Sequence, residues 1–199
     1  VITLSEETRD PVRTIPRALL LALGISSLLY VLVAVVSVSV IGAGRGLWWP
    51  GLVVAVLFAA LTLAFTPERN RDLRTLSIAL PLGFLMDSIL VQSQSLQFAC
   101  PYPLPGLAPV WIMALWLGFA LTLNHSLRSI YAKALPTFLF GLLGGPVAYG
   151  IATMRFEAMS VQGSTLECAL WIGLVWGIGL SVIRWLDLRS TSTEKGQTA

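Results

Sequence analysis

Apolar residues in this sequence gather into six long runs parted by short polar segments, at 18–41, 47–65, 75–92, 109–127, 134–153 and 165–183. A helix that crosses about 30 Å of hydrocarbon needs about 20 mostly apolar residues, because each backbone N–H and C=O must be paired inside the segment. The pattern therefore predicts an all-α polytopic membrane protein with six transmembrane helices. The first run holds no charged residue, the third is interrupted only by Asp87, and the sixth carries Glu167 near its start. The second and third are short for a span. The first run is too long for the core of a secretory signal, lacks a small-residue cleavage site and follows a segment of mixed charge.

Composition sharpens this picture. Of the 199 residues, 56% are hydrophobic and 12% charged, whereas soluble domains have roughly 45–50% and about 25%. The mean hydropathy of +0.80 agrees. A soluble globular enzyme, a disordered chain and a nucleic-acid binder are excluded. With two Cys and one His, the chain lacks the usual four N/S ligands of a zinc site, and no metal or other cofactor is expected. No Walker A, HExxH, CxxC or GxSxG run occurs.

Lys and Arg set the expected orientation, since loops rich in them stay in the cytoplasm. Arg9, Arg13 and Arg17 precede the first run, and Arg69, Arg71 and Arg74 follow the second. Arg128 and Lys133 follow the fourth, and Arg184, Arg189 and Lys195 the sixth. Arg45 and Arg155 fall on the other side, so eleven of the thirteen basic residues share one side. Both termini are expected in the cytoplasm, and the protein in a bacterial inner membrane. Trp48, Trp49 and Trp111 then lie at the outer interface and Trp185 at the inner one, where amphipathic rings settle. Trp116 and Trp176 read as lipid-facing bulk.

Asp87 is the sharpest candidate for chemistry. It sits five residues from the outer end of the third run, about 7 Å deep at helical rise. An ionisable group inside a span costs about 2.5–3.5 kcal/mol on insertion scales, so it faces the protein interior and has a partner. Tyr149, Arg155 and Glu167 fall at similar or shallower outer depths on the fifth and sixth runs. A proton-relay or ligand site is one reading, and a structural Asp87–Arg155 ion pair is the plainer one. Asn124 and His125 end the fourth run at the cytoplasmic face. His125 is a proton acceptor there or part of a polar helix end. Asp87 and His125 lie near opposite faces and are not expected to form a dyad.

Other features concern packing. Gly141 and Gly145, like Gly173 and Gly177, are four residues apart and let helices five and six approach closely, within one chain or in a homo-oligomer. Gly144, Gly145 and Pro146 are expected to break the fifth helix, and Pro81 to kink the third. Segment 92–107, uncharged and holding Pro101, Pro103 and Pro105, reads as a short re-entrant or interfacial cap. Cys100 and Cys168 fall on the outer side, where an oxidising periplasm permits either a disulfide or two free thiols.

Residues 5–36 read SEETRDPVRTIPRALLLALGISSLLYVLVAVV. They resemble the segment of amino acid permeases (the amino acid–polyamine–organocation superfamily) in which an acidic pair and an IPRA motif form the cytoplasmic loop before a mid-protein helix. From about Gly44 the pieces are GLWWPGL, LMDS at 85–88, LWLGFALTLNHSL at 115–127 and GLLGGPVAYG at 141–150. These are similar to a family of small uncharacterised bacterial inner-membrane proteins, which has no established activity. The two resemblances imply a fusion or chimera joined near residues 38–44. They divide the chain into a permease-like segment and helix at 1–41, a five-helix domain at 44–187 and a polar disordered tail at 188–199. The expected role is a membrane component that binds a lipid or small apolar ligand between helices three, five and six, with membrane lipids as partners. The alternatives are a transporter component or permease-like fragment, and, less favoured, a lipid-modifying enzyme using Asp87 or His125.

Overall fold

A computed structural model describes residues 49–156 and 159–197, and side chains at 49–154 and 159–190. The first predicted span, the permease-like segment and Trp48 lie outside the described residues. The described chain runs α1 (Trp49–Phe65), α2 (Arg69–Gln92), β1 (Leu96–Phe98), α3 (Val110–Leu123), α4 (Arg128–Tyr131), α5 (Ala134–Phe156), β2 (Met159–Val161) and α6 (Thr165–Gln197). Among the described residues, three helices are long and apolar enough to cross a membrane, at Arg69–Gln92, Ala134–Met154 and Thr165–Ser190. α1 and α3 are equally apolar but shorter, with 17 and 14 residues. They reach about 26 and 21 Å at helical rise.

The helices pack in the order α1, α3, α2, α6, α5, so α2 stands at the centre between α3 and α6. α5 and α6 make the most intimate pair. A Cβ on Gly141 would stand 2.5 Å from the Trp176 carbonyl oxygen, and one on Gly173 would stand 2.5 Å from that of Leu142. Small residues thus let two backbones touch, which in lipid supplies most of the packing energy available. The four glycines are used within the chain.

The expected break in the fifth helix is not found: α5 continues through Pro146. Proline lacks an N–H, so the Leu142 carbonyl loses its helical partner. The Leu142 carbonyl oxygen lies against the bare backbone of Gly173. α2 likewise continues through Pro81. α6 runs past residue 187 to Gln197, where a disordered tail was expected, because nothing before Gly196 stops a helix.

Segment 92–107 is not simply a cap of loop. Its residues Leu96–Phe98 pair antiparallel with Met159–Val161, with Leu96 opposite Val161 and Phe98 opposite Met159. Leu96, Phe98 and Met159 are buried in one cluster with Leu90, Trp111 and Tyr149. This ribbon lies at the end of the bundle opposite Arg69, Arg71 and Arg74, joining the C-terminal ends of α2 and α5. Trp111, expected at the interface, is buried at 3% exposure, edge-on to Phe98 at 5.5 Å, and its Nε1 donates to the Cys100 carbonyl at 3.3 Å. Trp49 and Trp185 are exposed.

Candidate functional site

One face of α2 carries Asp72, Thr75, Leu76, Ala79, Gly83, Met86, Asp87 and Leu90, all buried. Steps of three and four residues put them on one stripe. Asp87 on that stripe is fully buried. Trp116 of α3 donates its Nε1–H to Asp87 Oδ2 at 2.7 Å, and the Tyr149 hydroxyl of α5 donates to Oδ1. Each carboxylate oxygen is thus held by a different helix. Gly83 makes the first bond possible: a Cβ there would overlap the Trp116 ring. Trp116 in turn stacks on Trp176 of α6, with centroids 4.8 Å apart and planes at 17°. Trp176 meets Tyr149 edge-on at 5.8 Å. Trp176 Nε1 is buried without a hydrogen-bond partner among the described residues.

Of the expected partners of Asp87, the structure brings Tyr149. The side chain of Arg155 lies outside the described residues. Glu167 is exposed in the first turn of α6, where the positive end of the helix dipole favours an anion. Trp116 and Trp176, read as lipid-facing bulk, are the groups that surround the carboxylate.

α3 and α5 do not pack along each other. Between them lies a groove of about 400 Å³, within the range of small-molecule sites. Ile112, Leu115 and Phe119 form one wall, and Gly144, Ala148 and Ala152 the other. Trp116, Tyr149 and Trp176 make the floor. The rings of Phe119 and Phe140 lie parallel across it, 6.4 Å apart. The groove is a mostly aromatic and small-residue surface, with the Asp87 cluster directly behind its floor.

The opposite end of α2 holds a second polar cluster. Asp72 is buried; Asn124 donates Nδ2–H to Asp72 Oδ1 at 3.0 Å and to Thr75 Oγ1 at 2.9 Å. His125 Nε2 lies 3.0 Å from Asp72 Oδ2, while its ring is 40% exposed. The end of α3 is therefore more than a polar terminus: Asn124 is buried and ties α3 to α2. Asp72 and Asp87 are fifteen residues apart, about 22 Å on a helix, so His125 and Asp87 remain separate, as expected. Nearby, Arg74 Nε pairs with Asp187 Oδ1 at 3.0 Å, and Arg184 donates to the Tyr131 and Ala132 carbonyls at 2.9 Å. Arg128 reaches Glu68 at 3.4 Å. Burial and the adjacent Asp187 charge push the Tyr131 hydroxyl well above the usual tyrosine range. Cys100 and Cys168 are free thiols, and Cys168 donates to the Gln162 carbonyl.

Apolar membrane-length helices around a buried carboxylate and a lateral groove define an α-helical membrane protein. The chain belongs to the family described as "Protein of unknown function (DUF2878)", which matches residues 14–182. That match begins upstream of residue 44 and takes in the predicted first span. The chain is also similar to proteins named as uncharacterized transporters in Mycobacterium bovis and Mycobacterium tuberculosis, at 58% identity over 45 residues. Those residues are 23% of this chain and 10% of each relative. The chain thus spans about a tenth of the length of these relatives. The name accords with the permease-like resemblance. No solved structure matches the chain.

Proposed function

We propose that this is a six-span bacterial inner-membrane protein, with both termini in the cytoplasm, that binds a lipid or small apolar ligand in the groove between α3 and α5. The observation that carries the reading is the groove itself. Its volume is about 400 Å³, it is lined by aromatic and small side chains, and two helices flank it without packing on each other. A ligand there would lie among helices four, five and six of the predicted count, with helix three contributing Asp87 from behind. Membrane placement and orientation draw support from the arginine-rich loops, which meet at one end of the bundle through the Arg74–Asp187 and Arg128–Glu68 contacts.

Gly144→Leu tests the reading, because no atom lies within 4 Å of the position its Cβ would take, so leucine enters the groove without a clash. Mass spectrometry of apolar molecules retained by the purified full chain is expected to show a species that the variant loses at unchanged melting temperature. The same complement in both proteins refutes it. A second reading, transport, is favoured by the name of the mycobacterial relatives; uptake by proteoliposomes containing the full chain tests it. A lipid-modifying enzyme has less support, since both Asp87 oxygens are already taken by Trp116 and Tyr149.

A further inference from the structure

We infer that the cleft between α1 and α3 at the arginine-rich end binds one anionic phospholipid, its phosphate at the mouth and a chain along the apolar wall. The inference rests on the chain spanning a membrane and not on the occupant of the α3–α5 groove. The cleft holds about 420 Å³. Phe58, Leu61 and Leu121 line the end nearer the middle of the helices; Phe65 and Pro67 share the mouth at the other end with Thr66, His125 and Ser126. His125 and Ser126 thus stand at the end of the bundle where the arginines stand, as a headgroup stands at the end of an acyl chain.

The mouth is built for an acceptor ligand. Buried Asp72 takes His125 Nε2, and Asn124 fixes Asp72 in turn. The ring is thereby oriented with Nδ1 as its remaining nitrogen, and neither Nδ1 nor the Ser126 hydroxyl has a partner among the described residues. A phosphate oxygen supplies the acceptor that the Ser126 hydroxyl needs. Arg128, two residues beyond Ser126, is 62% exposed and only loosely held at 3.4 Å from Glu68. Arg69, Arg71, Arg74, Lys133, Arg184 and Arg189 belong to the same end, and outnumber Glu68, Asp72 and Asp187. That excess of positive charge selects an anionic headgroup over a zwitterionic one.

The test is a titration of the full chain in neutral detergent with phosphatidylglycerol, followed by native mass spectrometry, with phosphatidylcholine in parallel. Phosphatidylglycerol is expected to bind more tightly, and Arg128→Gln to weaken it by about fivefold, the effect of roughly 1 kcal/mol per basic group. Gly144→Leu leaves this binding unchanged. Equal affinity for the two lipids, or no weakening in Arg128→Gln, overturns the inference. Displacement by inorganic phosphate at equal concentration also overturns it, by showing that the apolar wall plays no part. Loss of phosphatidylglycerol in Gly144→Leu places the lipid in the other groove, which overturns this site while supporting the first.

Discussion

Replacing Asp87 separates a structural carboxylate from one that carries a proton or ligand. Two interhelical hydrogen bonds end on it, from Trp116 and Tyr149. Measured interhelical side-chain bonds in membranes average about 0.6 kcal/mol and reach about 1.7, so losing both in Asp87→Ala costs about 1–3.5 kcal/mol. Asp87→Asn differs in kind. Its carbonyl still accepts from Trp116, which can only donate, and its amide can donate to the Tyr149 hydroxyl, which can also accept. Asn loses the charge assistance of the bonds, but it also removes the desolvation penalty of a buried charge. Its net effect is expected to stay below about 1 kcal/mol. The assay is reversible unfolding in mixed micelles for wild type, both variants, Tyr149→Phe and the double variant Asp87→Asn with Tyr149→Phe. The cycle should give a coupling of about 0.5–1.5 kcal/mol between the two positions. Equal and large destabilisation by Asn and Ala would refute the reasoning, since it would mean that the charge itself holds the fold. If Asp87 carries a proton or ligand, Asn abolishes apolar-ligand retention or transport while the fold survives.

Two further outcomes follow from the polar end. Reporter fusions after Arg74 and after Lys195 should both report cytoplasm; an external signal at either overturns the six-span topology. Tyr131 holds its proton more strongly when folded than unfolded, so its contribution is complete below about pH 10 and is lost as pH rises through its folded value. Melting temperatures measured from neutral into alkaline solution should fall above about pH 10, and Tyr131→Phe should flatten that fall. An unchanged alkaline slope in the variant means that other groups cause it.

The helices from the second run onward were legible because their signal is length. The apolar runs at 134–153 and 165–183 became α5 and α6, and their small-residue spacing foretold how they meet. Asp87 was legible through cost, and the depth argument also found Tyr149. Trp116 and Trp176 were not, because a helix that is apolar on every side gives no contrast between its lipid-facing and protein-facing surfaces. Asp72 was hidden in another way. The stretch from Arg69 to Arg74 reads as a charged loop, yet α2 begins at Arg69, six residues before its apolar run. The spacing from Asp72 through Thr75, Ala79 and Gly83 to Asp87 was the signal that could have exposed it. The outer ribbon was beyond reach, since two strands of three residues are too short for their alternation to stand out, and they pair across three intervening helices.

The placement of Asp87 has a reason that packing alone does not supply. Inside a bilayer no hydrophobic force drives two helices together, because lipid tails are as apolar as leucine. The groove between α3 and α5 is spanned by α3 packed on α2, α5 packed on α6 and the parallel Phe119 and Phe140 rings across it. The carboxylate gives each wall one directional bond, Trp116 from α3 on one oxygen and Tyr149 from α5 on the other. Both bonds are anchored on α2, which is held at the centre by α6 and by the Asp72–Asn124 bond at its other end. An arginine partner would satisfy the charge but would engage one side chain rather than two walls. The two ring donors also present aromatic faces to the groove, so the groups that satisfy the buried carboxylate form the floor on which an apolar ligand would rest. Any change that loosens the carboxylate must therefore change the width of the groove as well as the stability of the bundle.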